Sequence, residues 1–423
     1  MPWLPRTGLW RHNDFLRLWA GETASIFGSF VGRTALVLTA ILVLDASPLV
    51  FGLLSAADII PGLVFGLITG VWVDRLPRRP IMIVADIGRA ALLVTIPLAY
   101  AFDVLTIAQL FVVAIGTGTL SIFFDVAYLS YLPAVVERDH ILEGNSKMAA
   151  STSVAEIGGF SLAGVLVQAL TAPVAILLDA VSFVVSALFI GAIRKPETHV
   201  VENSKREGMW TEIREGGRAL LGDPILRTLA GATMIMDFSI RAIGAVYLIY
   251  VTRELGFEPG VLGFIFAVGG VTSLFGALFA ARAARQFGVG PSLVVCLAVL
   301  TGAWLLTPAA YDTSLISLGL LVGHQLGDAF WTAYDVNAIT LRQSVTPDQV
   351  MGRVNAGMRF SGQAAMLGGA LAGGVMGEVI GIRETLFICT GGLVIAAGWL
   401  ASSPVWGAKH IPIVETTGAE SAA

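Results

Sequence analysis

Long apolar runs follow one another along most of the chain, separated by short joints rich in charge, glycine or proline. A hydrocarbon layer of ~30 Å asks for ~20 apolar residues per helical crossing, and each crossing must satisfy its own backbone hydrogen bonds. The runs predict twelve transmembrane helices, near residues 15–44, 50–73, 81–100, 106–132, 146–170, 173–193, 225–252, 260–281, 291–309, 314–341, 356–381 and 384–403. The predicted class is an all-α membrane protein.

The polar positions support that count. Among 26 Lys and Arg residues, only Arg253 and Arg383 fall in the loops of one face, and only Arg33, Arg89 and Arg241 lie inside predicted helices away from their ends. The remainder gather on the other face, which short positive loops mark as cytoplasmic. Both termini are therefore expected inside, in a multi-pass protein of the cytoplasmic (inner) membrane. The N-terminus lacks the short apolar core and small-residue cleavage site of a removable signal, so the first helix is expected to direct insertion itself.

Composition agrees: 56% of the 423 residues are hydrophobic and 13% charged, with a mean hydropathy of +0.80. Two cysteines and five scattered histidines without ligand spacing predict neither disulfides nor a metal site. No Gly-x-x-x-x-Gly-Lys-Ser/Thr loop for ATP occurs; the net charge of −4 says little about partners in a mostly lipid-facing chain, and no nucleic-acid partner is expected.

The chain also repeats itself. Phe124-Asp125-Val126 in the fourth predicted helix matches Tyr334-Asp335-Val336 in the tenth. In the same register Asn145 matches Asn355, and Gly158-Gly159 with Gly164 match Gly368-Gly369 with Gly374. Two six-helix pseudo-repeats, at 1–193 and 225–405, follow from this register, with substrate expected near the midplane between them. Residues 194–224 are predicted as a cytoplasmic linker and 406–423 as a disordered cytoplasmic tail. Within the linker, Trp210, Ile213, Gly217, Leu220 and Leu221 share one helical face, as in a helix lying on the membrane surface. A solvated linker is the alternative.

The second and third helices are joined by Gly70-Val-Trp-Val-Asp74-Arg75-Leu-Pro-Arg78-Arg79, one acid and three bases around a helix-breaking Leu76-Pro77. This loop resembles the signature of the major facilitator superfamily, whose twelve-helix, two-half layout covers almost the whole chain. Asp14-Phe-Leu-Arg-Leu-Trp19, Phe124-Asp-Val-Ala-Tyr128, Glu143-Gly-Asn-Ser-Lys147, Leu341-Arg-Gln-Ser-Val-Thr-Pro347 and Gly352-Arg-Val-Asn-Ala356 are similar to a bacterial branch of drug, macrolide and enterobactin-type exporters. The resemblance implies alternating access, with Gly70, Asp74, Arg75, Arg78 and Arg79 as a gating motif. Asp74 would bridge arginines of its loop and face the positive N-terminus of a neighbouring helix. In the second half Arg285 persists, but Ala284 replaces the acid. Two departures from drug–proton antiporters stand out. Phe160 replaces the proline of a Gly-Pro pair in the fifth helix, and the fourth helix from Gln109 to Leu132 carries no base. Proton coupling is thus implied by the superfamily alone.

Ionisable groups inside a membrane are costly, so each is a functional candidate. Asp125 and Asp335, with Asn145 and Asn355, lie near the cytoplasmic helix ends and suit an inner gate. Glu22 and Glu156 are the first choices for proton coupling. Glu22 and Arg33 share a face of the first helix but lie about 16 Å apart along it. Asp237 with Arg241, and His324 with Asp328, stand at i, i+4 and could pair, the second as a proton relay. Asp58, Asp86 with Arg89, and Asp179 complete the set. Arg33, Phe30, Trp331 and Tyr334 are candidates for the substrate cavity.

Together these readings predict a secondary transporter and not an enzyme. It would export an antibiotic, drug or natural product by proton antiport, with no cofactor beyond the proton gradient. Its partners would be a small amphiphilic organic substrate, protons and the lipid bilayer, and it would act as a monomer. The alternatives are a siderophore exporter of the same fold, or a non-transporting membrane scaffold or receptor.

Overall fold

A computed structural model describes residues 8–73, 76–136, 140–195, 217–218 and 220–408, and among these every long element is helical. The first half consists of α1 (Asn13–Leu42), α2 (Pro48–Val73), α3 (Arg78–Ala101), α4 (Ile107–Val135), α5 (Ile141–Leu170) and α6 (Ala172–Gly191). The second consists of α7 (Pro224–Ile249), α8 (Pro259–Phe287), α9 (Val289–Trp304), α10a (Leu315–Gln325), α10b (Gly327–Val345), α11 (Asp348–Val379) and α12 (Ile382–Ala401). A single π-type turn, Tyr250–Glu254, extends α7. Ten of the described helices are long and apolar enough to cross a membrane on composition alone. The tenth predicted helix falls short because it is divided. The eleventh carries Asp348, Arg353, Arg359 and Glu378 along its length.

Three expectations need correction. Helices α5 and α11 begin at Ile141 and Asp348, not at 146 and 356. The polar turns bearing Asn145 and Asn355 are therefore helical, although apolarity alone ends before them. The tenth helix is not continuous over 314–341. It breaks at Leu326, where the Thr272 hydroxyl donates to the Gln325 carbonyl at 2.7 Å and the Leu326 N–H turns back to Gly323. A side chain that takes a carbonyl out of the ladder is a common cause of such a break. Before α10a, Asp312 accepts from Ser314 and Ser317, and these donors hold its carboxyl below the usual range.

The chain forms two compact units: Met1–Asn203 with Leu248–Ala267, and Ser204–Tyr247 with Val268–Ala423. In unit 1, α1 packs on α5 and α6, α6 also on α3, and α4 on α2 and α3. Lipid gives apolar helices no reason to associate, so close approach rests on small residues. Gly21, Gly28 and Gly32 of α1 face α6 in this way. At the far end of unit 1, Arg253 donates to the carbonyls of Ile41 and Ala46 and pairs with Asp45 at 2.8 Å. Gln168 donates to Glu258 there at 2.5 Å. Beside this pair Gly164 meets the backbone of Pro259 and Gly263 so closely that no side chain fits. Gly164→Val is therefore expected to destabilise the protein by about 1–3 kcal/mol through overpacking, seen as a lower midpoint of thermal unfolding in detergent.

In unit 2, α9 packs on α10b and α12. Leu220 is buried with Leu226, Ala230, Val354 and Met358, whereas Leu221 is exposed. Leu220 is thus a bundle contact and not a lipid-surface anchor; Trp210 and Ile213 lie outside the described residues. Exposed Leu129, Val154, Leu188, Phe264 and Leu278 form surface suited to lipid.

Candidate functional site

The signature loop is only partly described. Gly70 lies within α2, whereas Asp74 and Arg75 lie outside the described residues. Arg78 opens α3. Arg79 donates from Nε to the Ile190 carbonyl at 3.1 Å and from its terminal nitrogen to the Gly191 carbonyl. It therefore caps the C-terminus of α6, where the helix dipole favours a cation. Nearby, Asp14 accepts from the backbone N–H groups of Arg194 and Lys195, each at 3.1 Å. The Asp14 segment that resembles the exporter branch thus ties α1 to the chain leaving α6. Asn145 is exposed on α5. Asn355 is half-buried on α11, and its side-chain oxygen has no hydrogen-bond partner.

Unit 1 collects ionisable groups around Arg89. Its guanidinium pairs with Asp86, donates to Ser121 at 3.2 Å, and lies 4.5 Å from the Phe124 ring and 4.0 Å from the Phe183 ring. The charges of Asp125, Arg89 and Asp86 all act on Glu22, which is buried on α1 with Oε2 unpartnered. Asp125 itself is exposed on α4. Glu156 stands exposed on α5 and does not join this cluster. Arg33 is exposed on α1 and faces Asp179 of α6. Phe30 packs against Phe160, ring centres 4.9 Å apart, and Phe160 in turn against Phe266 at 5.8 Å. The residue replacing the family's proline is therefore the middle ring of an aromatic stack.

Unit 2 contains a cavity of about 250 Å³ between α7, α10b and α11. Asp237 and Thr233 line it from α7, and Trp331, Tyr334, Asp335 and Arg342 from α10b. Met236, Met358 and Met366 complete an apolar, deformable wall. Asp237 is buried and feels both Arg241 and Asp335, while Arg342 offsets Asp335. Trp331, Tyr334, Asp335, Ala338 and Arg342 recur at three- or four-residue spacing on one helix face, a legible signal. The methionines and Thr233 carried none.

His324 and Asp328 do not form the expected pair: Asp328 is not among the groups acting on the imidazole. The buried imidazole packs against Trp304 at 4.1 Å and Tyr247 at 5.7 Å between ring centres. Its polar neighbour is the Leu321 carbonyl of its own helix. Asp328, in the first turn of α10b, lies against Gly269 beside the Gln325 amide.

A helical protein with charged clusters inside its bundles, a polar-and-aromatic cavity and a helix broken at mid-length has the architecture of a multi-pass membrane transporter. A family model described as transmembrane secretion effector (MFS_3) matches residues 6–413, and the chain belongs to this family within the major facilitator superfamily. It is thus a transporter and not an enzyme. It is 26% identical over 390 residues to the uncharacterized MFS-type transporter YfiS of Bacillus subtilis (strain 168), covering 90% of this chain and 91% of that one. It is 27% identical over 358 residues to the multidrug efflux pump Tap of Mycolicibacterium fortuitum, covering 81% and 83%. The fold matches a bacterial homologue of the iron transporter ferroportin in its inward-facing state, with a TM-score of 0.74, 15% identity, and 93% and 98% of the two chains covered.

Proposed function

We propose that this transporter exports small amphiphilic organic cations, such as drugs or natural products, in exchange for protons. The carrying observation is the unit 2 cavity. There two carboxylates, Asp237 and Asp335, line one cavity with Trp331, Tyr334 and three methionines, and the one lining cation among the described residues, Arg342, offsets Asp335 and leaves Asp237 for a ligand. Such a lining suits a flat, positively charged, partly apolar ligand. Similarity to the efflux pump Tap supports the direction of transport. A catechol siderophore, being anionic, fits the two carboxylates less well. The protein would act as a monomer in the cytoplasmic membrane with both termini inside. Asp74 and its loop arginines would hold the cytoplasmic gate.

Cells expressing the protein are expected to accumulate less ethidium than cells expressing an inactive control. A protonophore should abolish the difference. Equal accumulation across a panel of amphiphilic cations would sink the export reading; protonophore-insensitive efflux would sink the coupling.

A further inference from the structure

Proton antiport requires a group that binds a proton in one conformation and releases it in another. Unit 1 buries three carboxyl groups close together: Glu22 is 7% exposed, Asp86 0% and Asp179 5%. The one buried cation acting on all three is Arg89, itself 5% exposed. One guanidinium offsets one carboxylate, and Asp86 already takes that place. A further ionised carboxylate in the same interior would have no buried cation of its own, Asp179 being offset otherwise only by exposed Arg33, so neutralisation by a proton is the favourable state.

Asp179 has the best-built seat of the three. Its carboxylate enters a notch of α1 where Gly28 and Gly32 leave room; a methyl group on Gly32 would overlap it. Small residues for helix packing alone would not call for a carboxyl group in the notch. The Ser29 and Ser182 hydroxyls lie 3.5 and 3.4 Å from its Oδ1. A hydroxyl donates to a carboxylate or accepts from a carboxylic acid, so this seat serves both states. The charged groups facing Asp179 are Arg89 of α3 and Arg33 of α1. Among the described residues none on α5 acts on it. Arg89 also acts on Glu22, together with Asp125 and Asp86, and the buried Oε2 of Glu22 is unpartnered. Electrostatic interactions thus link exposed Asp125, buried Glu22, Asp86 with Arg89, Asp179 and exposed Arg33 within unit 1.

We propose that Asp179 is a proton-binding residue of this transporter. It is protonated while Arg89 pairs with Asp86, and it gives its proton to water near Arg33 when Arg89 takes Asp179 as its partner instead. Arg89 is then a positioning residue, held between the rings of Phe124 and Phe183 while its carboxylate partner changes. This assignment rests on the proton-antiport reading above.

Infrared spectroscopy of the lipid-reconstituted protein tests it without a substrate. The wild type should show a carboxylic-acid carbonyl band near neutral pH that Asp179→Asn removes and Asp179→Glu restores at a shifted position. In proteoliposomes, a pH gradient should drive ethidium movement by the wild type. Asp179→Asn should lose that drive by about tenfold or more while keeping ethidium counterflow within about twofold. An unchanged band in Asp179→Asn, or full gradient-driven transport by it, overturns the assignment. A wild type indifferent to the gradient would defeat the antiport reading, and the band would still decide whether Asp179 holds a proton. If Asp179→Asn cannot be purified, wild-type protein treated with dicyclohexylcarbodiimide, which modifies protonated buried carboxyls, decides the matter. An adduct on Asp179 supports the assignment, and an unmodified Asp179 beside modified Glu22 overturns it.

Discussion

Replacing Arg89 with leucine is expected to destabilise the protein by about 3–5 kcal/mol, the usual cost of leaving one partner of a buried ion pair alone. The loss has identifiable parts. Asp86, fully buried, would have no cation; Ser121 would lose a donor; and the Phe124 and Phe183 rings would lose the charge that lies over both faces of the sandwich. Thermal unfolding in detergent should show a lower midpoint and lower yield. Asp86→Leu in the same protein should recover much of the loss, because both charges are then gone and only packing remains. Purely additive effects of the two substitutions would mean that the pair is not a unit.

Trp331→Ala and Asp237→Asn are expected to weaken transport of cations in different ways. Removing the indole withdraws both apolar wall and ring face from the unit 2 cavity. A desolvated cation–π contact of about 2 kcal/mol corresponds to roughly thirtyfold in KM. Asp237→Asn keeps the volume and removes the charge. It should raise the KM for ethidium by about tenfold or more while leaving a neutral amphiphile nearly unaffected. That difference separates charge recognition from general damage to the fold. Equal losses for charged and neutral compounds would assign Asp237 a structural role.

The helices were readable because lipid imposes a length and an apolarity on each crossing. The break at Leu326 was not, since Leu315 to Leu326 reads as one apolar stretch and the carbonyl contact from Thr272 is made by a distant helix. The His324–Asp328 spacing did not reveal that the imidazole packs instead against Trp304 and Tyr247, which other helices supply. Asp86 and Arg89 were recognisable as a local pair. Their burial, and the convergence of Glu22 and Asp179 on the same guanidinium, depend on how α1, α3 and α6 pack. The cavity was half-legible: Trp331, Tyr334 and Asp335 stand out by type, whereas Thr233 and the methionines became wall residues only through the placement of α7 and α11. Arg79 stood out as part of the signature loop, and its geometry adds the capping of α6, which the loop's sequence does not reveal.

The break at Leu326 also makes α10b a lever. Its 19 residues extend for about 28 Å, so a tilt of about 5° at the break would carry the far end through roughly 2.5 Å. Asp335 and Arg342 ride on that arm, and Trp331 sits close to its pivot. Small adjustments around the indole would thus be magnified along the helix, moderately at the Asp335 carboxylate halfway along it and most at the Arg342 guanidinium in its last turn.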